Sequence, residues 1–453
     1  MSQYPVNPLQ LDQTILDQAL LNQSQGDSFW RWEDSASQHT ASQQTESDTT
    51  QARFILDRLF QDYSGAFAVR LWNGNMLHIG EGTPAFTVCL EQASVLRNMV
   101  WFTDPKHLAE AYLAGQVQIL GDFHAAMQLR EHFESLSLPL HEKLGLVFRA
   151  LTLATDADFS NAPRQSLPHS GTPYHGVKPA AQDALSIALS YDEVPEDFYQ
   201  CWLGEHMLHA CAYFSGNTHE LAQAQRNQLD LICLKLHLQH GDSLLDIGCG
   251  WSGLACWAAK HYGVFVHGIT QNASQYAYAV KQVQSQGLEH LVKIELASYH
   301  DLPATGSYDK AACIGIADHI GEQYLPDYLA KVHAALKPGG LFLTHGITNE
   351  STQDASSEFI NRQLYPQGAL TTFPHLLQQM DAAKFDVFNV EGLRRHYVMT
   401  LHQWLAGLEA NHETIASIVG ERTYRLWRLY MTASAIQFEQ GVTGIHQIVA
   451  TRR

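Results

Sequence analysis

The sequence predicts an α/β protein: a doubly wound, mostly parallel sheet with helical insertions, preceded by a smaller N-terminal α+β domain. Three observations carry that expectation. Apolar strand patterns alternate with helical ones from about residue 183 to residue 453. One of those strands runs into a glycine turn that opens a helix, at Ser243–Gly253. Residues 51–155 carry a separate pattern with hairpin chemistry, and a Pro-, Ser- and Gly-rich stretch at 156–182 divides the two.

A chain of 453 residues exceeds one compact core and implies two domains plus tails. With 45% hydrophobic and 16% charged residues it is core-forming. No run approaches the length of a membrane-spanning helix, and MSQYPVNPLQ lacks a basic start and an apolar stretch, so a cytoplasmic location is the expectation. The seven cysteines, Cys89, Cys201, Cys211, Cys233, Cys249, Cys256 and Cys313, form no Cys-x-x-Cys pair. They read as reduced thiols, with no disulfide frame and no metal site expected. Against 46 acidic residues stand 28 Lys and Arg, a formal charge of −18. That sign excludes a general nucleic-acid binder and confines any membrane contact to a local surface.

In chain order, residues 1–50 are rich in Gln, Ser, Thr and Asp and read as a disordered tail with an aromatic island at Phe29–Trp32. Next, AFAVRLWNGNMLHIG alternates apolar and polar residues around Asn73-Gly74, a hairpin signal. PAFTVCLE reads as a further strand, while SVLRNMVWF and HLAEAYLAGQVQIL carry helical spacing. After the 156–182 linker, strands are expected at SLLDI, VFVHGI, VKIEL, YDKAACIGI, GLFLTHGI, FDVFNVE and HQIVATR. The last of these follows a long helical stretch and is a candidate for antiparallel pairing. In that stretch Arg422, Arg425 and Arg428 share a helical face, suited to lipid phosphate or, more simply, to solvent.

The glycine turn is the first chemical signal. Gly248, Gly250 and Gly253 follow the buried-strand residue Asp246 and surround Trp251. Glycines permit close backbone approach, and a helix N-terminus offers free N–H groups to an anion. The spacing also satisfies the dinucleotide pattern G-x-G-x-x-G. A nicotinamide site wants an acid about 20 residues on, at the end of the next strand; Gly268-Ile269-Thr270-Gln271 supplies none. Leu-Asp-Ile-Gly-Cys-Gly instead resembles the loop of class I S-adenosylmethionine (SAM) methyltransferases, with their Rossmann-like sheet.

Five spaced signatures extend that likeness: Ser190-Tyr191-Asp192 with Phe198-Tyr199; Ala210 to Phe214; the loop with Gly268-Ile269-Thr270 and Gln275; Asp318-His319-Ile320-Gly321; and His345 and Ile347 with Tyr397-x-x-Thr400-Leu401-x-x-Trp404. From about residue 185 onward the chain resembles cyclopropane-fatty-acid synthases and related mycolic-acid methyltransferases. Leu71-Trp72-Asn73-Gly74 and Glu110-Ala111-Tyr112 are similar to landmarks of that family's accessory lipid-associated domain.

The resemblance implies methyl transfer from SAM to a cis double bond of a phospholipid acyl chain, at the inner face of the membrane. It also implies a bicarbonate ion as base, held by Cys211, Asp318, His345, Ile347 and Tyr397. For the cofactor it implies Tyr191 at the carboxylate, Thr270 and Gln275 near ribose and methionine, and Tyr299 beside adenine. A homodimer is implied as well. The chemistry is consistent: an isolated alkene needs a strongly electrophilic methyl, and the resulting cation needs a dry aromatic chamber and a base. Each residue also has a bland alternative: Cys211 as a core cysteine, His345 and Tyr397 as packing residues, Asp318 as a turn cap and Tyr299 as core.

Four positions depart from the family pattern: Ser190 for His, His209-Ala210 for Tyr-Ser, Ser298 for an acid and Asp318 for Glu. The shorter Asp318 puts ring closure in question, leaving open a methyl or methylene branch with a partner reductase. A small-molecule methyltransferase and a non-catalytic SAM- and lipid-binding protein are the more distant alternatives.

Overall fold

The computed structural model describes residues 35–101, 105–136, 138–153, 194–216, 220–315, 320–349 and 370–453. The Phe29–Trp32 island, the 156–182 linker, Tyr191 and Asp318 lie outside them.

The N-terminal domain runs through α1 (Ser35–Leu59), β1 (Phe67–Arg70), β2 (Met76–Ile79), β3 (Phe86–Leu90), α2 (Ala93–Trp101), α3 (Pro105–Leu113), β4 (Val117–Gly121), α4 (Phe123–Met127), α5 (Leu129–Ser135) and α6 (Leu140–Leu151). Its sheet has the order β2-β1-β3-β4. The Asn73-Gly74 hairpin forms as expected: β1 and β2 pair antiparallel, and Gly74, at φ 84°, makes the turn. Two segments differ from the sequence expectation. Helix α1 begins at Ser35, inside the expected tail, because Ala52, Ile55, Leu56 and Leu59 form a fully buried helical stripe. Thr49 Oγ1 accepts from the amides of Asn73 and Asn75, at 3.0 and 2.6 Å, which ties α1 to the hairpin. In HLAEAYLAGQVQIL only the first half is helical. Gly115, at φ 77°, ends the helix and Val117–Gly121 becomes an edge strand paired with β3.

The second domain begins with α7 (Glu196–Gln200) and α8 (Leu221–Lys235), then alternates β5 (Ser243–Ile247), α9 (Gly253–Tyr262), β6 (Phe265–Thr270), α10 (Ala273–Ser285), β7 (Val292–Leu296), β8 (Tyr308–Ile314), α11 (Leu325–Ala335) and β9 (Leu336–Asn349). It closes with α12 (Phe373–Ala382), β10 (Phe385–Gly392), α13 (Arg394–Ala410), α14 (His412–Val419), α15 (Glu421–Gln440) and β11 (Thr443–Arg452). All seven expected strands join one sheet of order β10-β11-β9-β8-β5-β6-β7. The run from β9 to β7 is parallel, and β11 inserts antiparallel between β9 and β10. Because the chain leaves β5 toward β6 and later returns to β8 on its other side, a crevice opens at the carboxyl end of β5.

On the arginine face of α15, Arg422 is exposed to solvent, while Arg425 and Arg428 turn toward the N-terminal domain. Arg425 donates to the carbonyls of Tyr112 and Val117 at 3.0 and 3.1 Å. Arg428 lies over the Phe123 ring at 4.1 Å and donates to Glu409 at 2.7 Å. Leu429 of the same helix enters the core of the N-terminal domain. The helix therefore braces the two domains, and its guanidiniums satisfy the ends of α3 and β4. Arg428→Ala is expected to cost about 2 kcal/mol, from the lost charged hydrogen bonds and cation–π contact, read as a lower midpoint in urea unfolding.

Candidate active site

The crevice at β5 is built by backbone geometry. Gly248 and Gly250 have φ of 73° and 53°, and Ser252, which precedes α9, is left-handed at φ 70°. Gly248 and Cys249 both donate to the carbonyl of Ile269 at 2.9 Å, fastening the loop across to β6. Helix α9 has no side-chain cap, so its first N–H groups keep their donor capacity. Nothing lies within 4 Å of a Cβ placed on Gly250, so the turn faces open space. On Gly253 a Cβ would come within 2.6 Å of the His206 carbonyl oxygen, and on Gly268 within 3.0 Å of Cys249 Sγ. Gly253→Ala is therefore expected to shift the loop, cost about 1–3 kcal/mol of stability and weaken SAM binding at least about tenfold, measurable by calorimetry.

Asp246, next to last in β5, is buried, with one carboxylate oxygen unpartnered. Burial pushes its pKa up to about 7. Thr270 Oγ1 donates to Gln275 Oε1 at 3.1 Å, and Asn272 caps α10 by accepting from the Gln275 N–H at 2.7 Å. Tyr299 stands just past β7 with its ring edge-on to Tyr328 at 5.3 Å. Trp251 is buried and 4.9 Å from Tyr199. The expected cofactor residues among the described ones thus surround the ends of β5, β6 and β7. The uncapped helix, the open side of the turn and the orphaned Asp246 oxygen fit SAM, an amino acid joined to a nucleoside.

The second group is assembled from distant segments. Ala212 donates its N–H to Thr400 Oγ1 at 3.0 Å, and Phe214 donates to His396 Nδ1 at 3.0 Å, so the 210–214 segment lies along α13. The Cys211 thiol is fully buried and donates to the Ala212 carbonyl at 3.3 Å and the Leu393 carbonyl at 3.8 Å. Burial pushes its pKa well up, so it is a thiol, not a thiolate. Leu393 donates to the Ile445 carbonyl at 2.9 Å, and Ile445 is paired with Ile347 across β11 and β9. Tyr397 N–H donates to the Leu393 carbonyl at 3.0 Å, one turn into α13. Gly315 connects His345 to the same place: its N–H donates to the His345 carbonyl at 2.8 Å, and its Cβ position is 3.5 Å from the His209 carbonyl. Cys211, Ile347 and Tyr397 share one apolar cluster with Trp202, Trp251, Trp404 and Trp427.

His345 is the polar member. Its ring is buried on the α8 side, and burial, aided by the Lys235 and His446 charges, pushes its pKa down to about 3. It is neutral. Gln228 Nε2 donates to Nδ1 at 2.9 Å, which puts the imidazole proton on Nε2, a buried atom with no partner among the described residues. Sequence reading passed over Gln228. Its only signal is a glutamine on the buried stripe of α8, beside Leu229 and Ile232.

Sheet order, glycine loop and cofactor fit define a class I SAM-dependent methyltransferase. Residues 179–448 match the family described as mycolic acid cyclopropane synthetase, and the chain belongs to that family of lipid methyltransferases. It is 33% identical over 391 residues to a probable fatty acid methyltransferase of Pseudomonas putida, covering 85% of this chain and 91% of that one. A sphingolipid C9-methyltransferase of Emericella nidulans is 31% identical over 61% of this chain and 55% of its own length. The structure of mycolic acid cyclopropane synthase CmaA1 complexed with SAH and CTAB superposes with a TM-score of 0.56 at 27% identity, covering 59% of this chain and 97% of that one.

Proposed function

We propose that the protein methylenates a cis double bond in a phospholipid acyl chain and closes a cyclopropane ring. The observation that carries this reading is His345: a neutral, buried imidazole whose Nε2–H has no acceptor among the described residues, two positions from Ile347 in an aromatic chamber. Such a donor fits a small anion better than it fits an apolar core. When bound, SAM would supply an electrophilic methyl, and bicarbonate, which the family signatures Cys211, Asp318, His345, Ile347 and Tyr397 would hold, would supply a base.

The chain's own residues do the rest. The turn through Gly248, Gly250 and Gly253 orients the methyl donor. Trp251, Tyr397 and their aromatic neighbours exclude water and present ring faces to the alkene cation that forms when the double bond takes up the methyl. His345 and Tyr397 hold the base where it can remove a proton from the new methyl, and the freed pair closes the ring. In this reading the protein reaches its substrate peripherally, from the cytoplasmic face, and works as a homodimer. No helix among the described residues is long and apolar enough to cross a membrane.

The relatives favour one second reading. Both the fatty acid and the sphingolipid enzymes are named methyltransferases, which suits a methyl or methylene branch completed by a separate reductase. Mass spectrometry of lipids from cells expressing the protein separates the two. Addition of one CH2 with loss of the alkene is the expected result; the same addition with the alkene retained overturns ring closure. Tyr397→Phe and Cys211→Ser are expected to lower turnover at least about tenfold while SAM affinity changes less. Equal loss of both in kinetic and calorimetric assays counts against their placement at the reacting carbons.

A further inference from the structure

The geometry points to a divalent-metal site of the zinc class at the junction of the two domains, formed by His124, His402 and Glu439. His124 belongs to α4, His402 to α13 and Glu439 to the last turn of α15. One ligating atom from each lies within 4.8 Å of the other two. His124 Nε2 is 2.9 Å from one Glu439 carboxylate oxygen, and His402 Nε2 is 2.9 Å from the other. The two imidazole rings are 5.6 Å apart, so both face the carboxylate between them.

Two imidazoles and one carboxylate are a donor set that zinc takes, with bonds of about 2.0–2.2 Å. Around a tetrahedral ion such bonds put neighbouring ligand atoms roughly 3.3 Å apart, so the two histidine–carboxylate separations of 2.9 Å need to open by about a few tenths of an ångström. Side-chain rotation provides that at this depth: the three side chains keep 23%, 43% and 33% of their exposure. The same exposure admits water as a fourth ligand. A cation bound through both Nε2 atoms requires each neutral imidazole to carry its proton on Nδ1, and so joins α4 of one domain to α13 and α15 of the other.

The surroundings hold the ligands ready. Phe123, next to His124, carries Arg428 on its ring, and Gln440, next to Glu439, donates to Glu131 of α5. Sequence spacing conceals the set, since Glu439 is 315 positions from His124 and 37 from His402. The absence of metal expected from the cysteine pattern was silent on histidines brought together by folding. Phe438 meets the Tyr397 ring edge-on at 4.8 Å, so the staple adjoins the helices that carry Tyr397.

The test is calorimetric titration of metal-free full-length protein with zinc chloride, compared with the His124→Ala/His402→Ala and Glu439→Gln variants. Wild type is expected to bind one more equivalent than the double variant, and zinc to raise the unfolding temperature of wild type alone. Glu439→Gln keeps the shape and is expected to weaken that equivalent at least about tenfold. Cobalt(II) is expected to give tetrahedral visible absorption in wild type and none in the double variant. SAM affinity checks that each variant is folded, and Glu439→Gln decides if the double variant is not. Equal zinc affinity and equal thermal shift in wild type and Glu439→Gln overturn the proposal and leave a hydrogen-bonded His–Glu–His clasp.

Discussion

Replacing His345 with alanine is expected to lower kcat by about two to four orders of magnitude and to leave SAM affinity within about threefold. The ring lies on β9, two strands from the glycine turn of β5, so its removal leaves the cofactor loop intact. Lost instead is a neutral donor in a dry site, with the tautomer set by Gln228 at 2.9 Å. Gln228→Leu tests that setting separately. It keeps the imidazole and frees Nδ1 to take the proton, so turnover is expected to fall about a hundredfold through misplacement alone. Histidine protonation does not enter near neutral pH, because burial holds His345 far below it. A kcat in the His345→Ala protein within about threefold of wild type, in single-turnover assays with unsaturated lipid vesicles, would remove the donor from the mechanism.

The second large effect is on stability against pH. Asp246 is buried, and its folded-state pKa is raised by burial from 3.8 to about 7. A raised pKa means that the folded protein holds a proton the unfolded chain releases. The contribution is complete below pH ~4 and is lost as pH rises toward ~7, up to about 4 kcal/mol for a rise of this size. Asp246→Asn keeps the shape without the ionisation, so its stability is expected to lack this decline. Urea midpoints for both proteins between pH ~4 and ~8 decide the matter, and parallel curves would show that Asp246 is solvated. Saturating SAM, with cationic amino and sulfonium groups, is expected to flatten the wild-type decline if the carboxylate faces the cofactor.

The sheet was the most legible part of the sequence. Ser243–Ile247 and Val292–Leu296 fall where the sequence placed them, since a central strand writes its burial as a continuous apolar run and an edge strand as an apolar–polar alternation. The Asn73-Gly74 turn was legible for the same reason: its conformation depends on two residues. Elements whose state depends on distant partners were misread. The polar start of α1 is helical because its later turns are buried, and Val117–Gly121 is a strand because β3 lies beside it. Arg425 and Arg428 read as a solvated face, yet the carbonyls they satisfy belong to another domain.

The sequence by itself therefore determined the sheet, the glycine turn and the family signatures, including Cys211, His345 and Tyr397, because each is a short-range pattern of burial, backbone freedom or spacing. Only the tertiary structure decided which distant segments meet. The docking of Ala212 on Thr400, the Gln228 bond that sets His345, and the convergence of His124 and His402 on Glu439 arise when segments far apart in the chain pack together, within one domain or across two, and no local pattern encodes those distances.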